Sequence, residues 1–132
     1  MGECIIARRS GSNANVMPIA SVPKTSGNAG AECTIPKSKI PIGYSLYIVG
    51  AIYGANYGSS GSGLGLSGCI NHNLNGNFVA RGYGSYFTEQ NSKLVYPSCT
   101  VSGDNVIFNI QASGFSATAS DKSSFCGILI PF

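Results

Sequence analysis

The chain has 132 residues, of which 43% are hydrophobic and only 10% charged, against about 25% charged in an average globular protein. That length buries enough surface for one domain with its own core, and the apolar fraction excludes a disordered chain. The net charge of +3 arises entirely within residues 1–39, a stretch without aromatics, so the interleaved basic and aromatic stripe of a nucleic-acid binder is missing.

In chain order, short β-type runs recur and no window sustains the i, i+3, i+4, i+7 stripe of an amphipathic helix. "CIIAR" (4–8) comes first, followed by the linker composition "SGSNAN" (10–15). "NVMPIASV" (15–22) contains Pro18, which predicts an edge strand or a bulge because proline cannot donate to a ladder. "AECTIP" (31–36) follows a turn-like "SGNAG". "YSLYIVGAIYG" (44–54) is apolar on both alternating faces and predicts a central strand covered on both sides. A Gly/Ser-rich stretch, "GANYGSSGSG" (54–63), reads as a surface loop or hairpin tip.

Strands are then predicted at 64–71, 76–82, 85–89 and 93–99. The clearest is "DNVIFNIQA" (104–112): Val106, Phe108, Ile110 and Ala112 share one face, while Asn109 and Gln111 point the other way. "FCGILIPF" (125–132) closes the chain and is again apolar on both faces. Strand spacing of about ten residues predicts an all-β fold, an antiparallel β-sandwich or small barrel with long Gly/Ser/Asn-rich loops. The expected organisation is an N-terminal docking arm (1–9), a linker (10–15) and a single all-β domain (16–132).

Residues 63–68, "GLGLSG", formally match the dinucleotide-binding G-x-G-x-x-G. That motif works by opening a helix whose N-terminal amides hold a pyrophosphate. Here it is followed by "CINHNLNGNFVARG", which is no helix former, and no Walker lysine is present, so nucleotide binding is set aside. The glycines are expected to serve tight turns and close backbone approach.

Five cysteines (Cys4, Cys33, Cys69, Cys99, Cys126) lie about 30 residues apart, too far for the C-x-x-C spacing of zinc ligands. No apolar run approaches the ~18 residues of a membrane span, and Cys4-Ile5-Ile6-Ala7 is too short for a secretory signal. The expectation is therefore synthesis in a cytoplasm, reduced thiols and no membrane insertion.

His72 is the lone histidine, and the five carboxylates are scattered. Neither a Cys–His nucleophile nor a carboxylate pair is legible, so no catalytic residue, metal or cofactor is expected. Tyr53, Tyr57, Tyr83 and Tyr86 flank glycine loops and are candidate ligand contacts, for stacking on a sugar or a partner.

The opening Cys4-Ile5-Ile6-Ala7-Arg8-Arg9-Ser10-Gly11 resembles the start of small tail-fibre, tail-associated or virion-surface proteins of bacteriophages and prophages, over about a tenth of the chain. The Gly/Ser/Asn-rich, charge-poor remainder is similar to them in style. The resemblance implies a non-enzymatic structural component of a phage particle, acting in assembly and host attachment. It also implies attachment to other virion proteins through the N-terminus, and a trimer.

On that reading Cys4, Ile5 and Ile6 add a strand to a neighbour, and Arg8 and Arg9 meet carboxylates there. Surplus apolar surface on 44–54 and 125–132 independently calls for a homo-oligomer, whose closed symmetry also guards sheet edges that carry few charges. The alternative function is a carbohydrate-binding module or adhesin domain, which binds a host surface glycan.

Overall fold

The computed structural model describes residues 16–54, 63–81, 84–87 and 92–132. The docking arm and linker, with Cys4, Ile5, Ile6, Arg8 and Arg9, lie outside the described residues, as do Tyr57 and Tyr83. Nine strands are described: β1 (Val16–Pro23), β2 (Asn28–Pro36), β3 (Tyr44–Tyr53), β4 (Gly63–His72), β5 (Phe78–Arg81), β6 (Gly84–Phe87), β7 (Ser92–Ser102), β8 (Asn105–Ser116) and β9 (Lys122–Pro131). The only helical element among the described residues is a 3₁₀ turn, Lys37–Lys39. The fold is all-β.

The strands form one antiparallel sheet in the order β5-β4-β3-β9-β1-β2-β8-β7-β6. Its two ends, β5 and β6, are separated by two residues of chain, so the sheet coils nearly into a barrel. The seam is marked by a hydrogen bond between the Cys99 sulfur on β7 and the backbone of Ala80 on β5. β3-β4-β5 and β6-β7-β8 are each simple meanders, meeting at the seam. The β1–β2 hairpin is then inserted between β8 and β9.

Two prolines mark where ladders change hands. β1 pairs with β9 through Val16–Ile19 and with β2 through Ala20–Pro23. Pro18 therefore lies in a half-strand with one ladder partner, although β1 itself is no edge strand. Pro97 stands likewise just past the residues of β7 that pair with β6 (92–95). A missing N–H is tolerated where one side of the strand has no ladder to serve.

The inner face is read from the period-2 alternation. Leu46, Ile48 and Ile52 on β3 meet Leu64, Leu66 and Ile70 on β4, with Cys33 and Ile35 on β2 and Val106, Phe108 and Ile110 on β8 opposite; all are buried in one continuous core. The barrel is narrow, and glycine makes room in it. A β-carbon on Gly68 of β4 would sit 2.9 Å from Phe108 Cζ and 3.2 Å from Pro97 Cβ. Gly68 is thus the socket that lets the β8 ring reach across the interior.

Two expectations need correction. Gly63 is a strand residue, not the end of a loop, because the chain pairs with β3 from Gly63 onwards. β3 is central, but it is covered on one face only: Tyr47, Val49 and Tyr53 point outward and remain exposed. A strand apolar on both alternations does not reveal whether its second face is buried within the chain.

Candidate functional site: an apolar outer wall

The register of β3 decides which side chains share the outer surface, since directly paired residues project to the same side. Tyr47 stands between Cys69 on β4 and Ile128 on β9, and Ile128 in turn pairs with Val16 on β1. Val49 stands between Ser67 and Cys126, and Ser45 between Asn71 and Ile130. Val16, Tyr47, Val49, Tyr53, Ile128 and Ile130 are each between 37% and 48% exposed. They lie side by side on β1, β9 and β3, and β4 beside them presents Gly63, Gly65, Ser67, Cys69 and Asn71 on the same side. The outward positions of these four strands carry no carboxylate, and their one cation, Lys122, sits at the end of the wall beside Tyr53. Arg81, on β5, lies at the opposite margin beside Cys69.

The other wall differs in composition. Glu32 and Thr34 on β2, Asn109 and Gln111 on β8, and Ser98 and Thr100 on β7 project outward there, interspersed with Ile107 and the 45% exposed Tyr96. This side carries more polar groups than the first.

Within the apolar wall an open depression of about 430 Å³ lies between Val49, Ala51 and Tyr53 on β3 and Ser124 and Cys126 on β9. The Tyr53 ring lies over Gly63, whose hypothetical β-carbon would be 2.9 Å from the ring. At the far end of the wall the polar groups engage one another. Ser45 Oγ donates to Asn71 Oδ1 at 2.6 Å, and the Cys69 thiol approaches the same oxygen at 3.8 Å.

Of the candidate contact residues, Tyr53 alone is placed in this depression; Tyr86 lies on β6, on another part of the sheet. Tyr47, Val49, Ile128, Ile130 and Val16 were not singled out by proximity to glycine loops. The signal that marks most of them is the double-faced apolar pattern of 44–54 and 125–132.

His72 and the cysteines take no part in a nucleophilic site among the described residues. His72 Nδ1 donates to the Ile40 carbonyl at 2.7 Å, and its ring stacks on Phe78 with centroids 3.9 Å apart, pinning the turn before β3 to the end of the barrel. Cys33, Cys69, Cys99 and Cys126 are free thiols. Burial pushes the Cys33 thiol up to about 12, with Glu32 adding to the rise. Burial also raises Cys69 and Cys99, against weaker opposing backbone hydrogen bonds. Activation of a cysteine needs a shift the other way.

The chain matches no protein-family model, no curated protein and no solved structure.

Proposed function

We propose that this protein is a non-enzymatic structural component of a phage particle, a tail-fibre or surface-exposed virion protein that acts by assembling and serves host attachment. The observation that supports this reading is the carboxylate-free patch of exposed apolar residues on β1, β9 and β3, on a barrel whose own core is already filled. Exposed apolar residues scattered singly are ordinary, whereas a connected patch marks an interaction surface. The raised thiols and the satisfied His72 accord with an assembly role. The N-terminal segment, with its resemblance to particle proteins, supplies attachment to other virion proteins.

The test is to express the tagged chain in cells that produce the particle and purify the particles by density. Peptide mass spectrometry is then read on the particle fraction. The chain is expected there at stoichiometric levels; its confinement to the free protein fraction would overturn the reading.

A second reading, a glycan-binding module, is favoured by Tyr53, an exposed ring in an open depression of about 430 Å³. It requires saturable binding on a glycan array that Tyr53→Ala abolishes. An array that stays blank for the intact chain removes it.

A further inference from the structure

The β4–β5 hairpin turns through Asn73-Leu74-Asn75-Gly76-Asn77, and Asn75 is the one asparagine of the chain that precedes a glycine. Leu74, Asn75, Gly76 and Asn77 are exposed. Hydrogen bonds shape the turn. The Asn73 N–H donates to the Asn77 carbonyl at 2.9 Å, and the Gly76 N–H donates to the Asn73 carbonyl at 2.8 Å. The Asn77 N–H donates to Asn75 Oδ1 at 3.0 Å. That last bond makes an Asx turn, in which a side chain bends along its own backbone towards the residue two further on. It holds the Asn75 carboxamide carbon beside the intervening peptide, whose nitrogen belongs to Gly76. The N–H donated to Oδ1 also draws electron density from that carbon. Gly76 has a φ of 90°, and nothing lies within 4 Å of the place a β-carbon would take on it, so its nitrogen is shielded by neither a side chain nor a neighbour. Every other asparagine is followed by a residue with a β-carbon.

A carboxamide carbon held beside an open glycine nitrogen is set up to cyclise. We propose that Asn75-Gly76 is a self-modifying site, at which the hairpin tip loses ammonia without an enzyme and gains a negative charge. The Gly76 nitrogen gives its proton to hydroxide and attacks Asn75 Cγ. The N–Cγ bond forms as the Cγ–Nδ2 bond breaks, and Nδ2 leaves as ammonia with a proton taken from water. Water then opens the cyclic imide at either carbonyl, leaving aspartate or isoaspartate at position 75. One amide and one water are consumed, and one carboxylate and one ammonium are produced. The Gly76 N–H bond to the Asn73 carbonyl must open first. It is a single turn bond at an exposed tip, and such bonds open locally while the ladder behind them stays closed. On the isoaspartate branch the main chain runs through the former side chain and is one methylene longer, so the turn that sets Phe78 opposite His72 is rebuilt. The step is independent of any role in a particle.

The experiment holds the folded full chain for days in mildly alkaline buffer, with samples digested and read by peptide mass spectrometry. A parallel sample is kept in urea, and Asn75→Gln is run beside the natural chain. Glutamine keeps the amide but must close a larger ring, which blocks the step; a cooperative thermal melt is the check that the variant folds. The peptide that carries Asn75 is expected to gain about 1 Da and to split into two isomeric products, ahead of every other asparagine. Free ammonia rises in step, the rate increases with pH, and the gain is absent from Asn75→Gln. An Asn75 that stays intact in the folded chain overturns the proposal, and conversion in urea alone would assign the protection to the bond between Gly76 and Asn73. Conversion first at another asparagine overturns it as well, and so does a gain that persists at this peptide in Asn75→Gln.

Discussion

Replacing Gly68 by alanine adds one methyl group in the narrowest part of the barrel. The new carbon would lie 2.9 Å from Phe108 Cζ and 3.2 Å from Pro97 Cβ. Carbon pairs settle at about 3.5–4.0 Å, so the ring must retreat by about 0.6 Å or more. It has nowhere to go, since Phe108 is fully buried at the centre of the core. Overpacking of this kind costs about 1–3 kcal/mol, and the lower backbone entropy of alanine in the unfolded chain returns about 0.4–1 kcal/mol. The expected net loss is about 1–2 kcal/mol.

Gly65→Ala is the internal control: it is on the same strand, its side chain would point outward, and nothing lies within 4 Å of its hypothetical β-carbon. That variant is expected to be neutral or up to about 1 kcal/mol more stable. Urea denaturation reads both, with Tm shifts of about 4 °C per kcal/mol for a domain of this size as a second measure. Phe108→Leu removes the atom that collides, so combining it with Gly68→Ala should cost about 1 kcal/mol less than the sum of the two single changes. Equal stabilities for Gly65→Ala and Gly68→Ala, or strict additivity with Phe108→Leu, would refute the socket.

Cys33 retains its proton in the folded protein between its ordinary 9.0 and about 12, whereas the unfolded chain releases it, so stability falls as pH rises through that window. Urea midpoints from pH 8 to 11 should therefore decline less steeply in Cys33→Ala than in the natural chain, and parallel slopes would contradict the burial of the thiol. His72→Ala removes the bond to the Ile40 carbonyl and the stack on Phe78, for an expected loss of about 1–2 kcal/mol. Sedimentation of that variant should match the natural chain, and a changed mass with an intact melt would show that His72 serves an interface between copies.

Strand positions were legible because period-2 patterning and turn chemistry are local. Val106, Phe108, Ile110 and Ala112 alternate with Ile107, Asn109 and Gln111, and that pattern alone makes 105–112 a strand with a known inner face. Strands β1 to β9 all fall within a few residues of runs recognisable in the sequence, and the want of helical periodicity established the fold class. What stayed illegible depends on contacts between residues far apart in the chain.

Ile48 and Val49 are equally apolar, and only the ladders with β4 and β9 decide that Ile48 is fully buried and Val49 exposed. Pro18 foretold an interrupted ladder, but whether that meant an edge or a change of partner turned on where β9 and β2 lie. Gly68 was legible as a glycine in a strand, but what approaches it was not, because Phe108 lies forty residues further along the chain. The apolar wall has the same origin. Composition established that there was more apolar surface than one strand layer can hide, and the coiling of the sheet, which gives each strand a single inside, decided which residues were left outside.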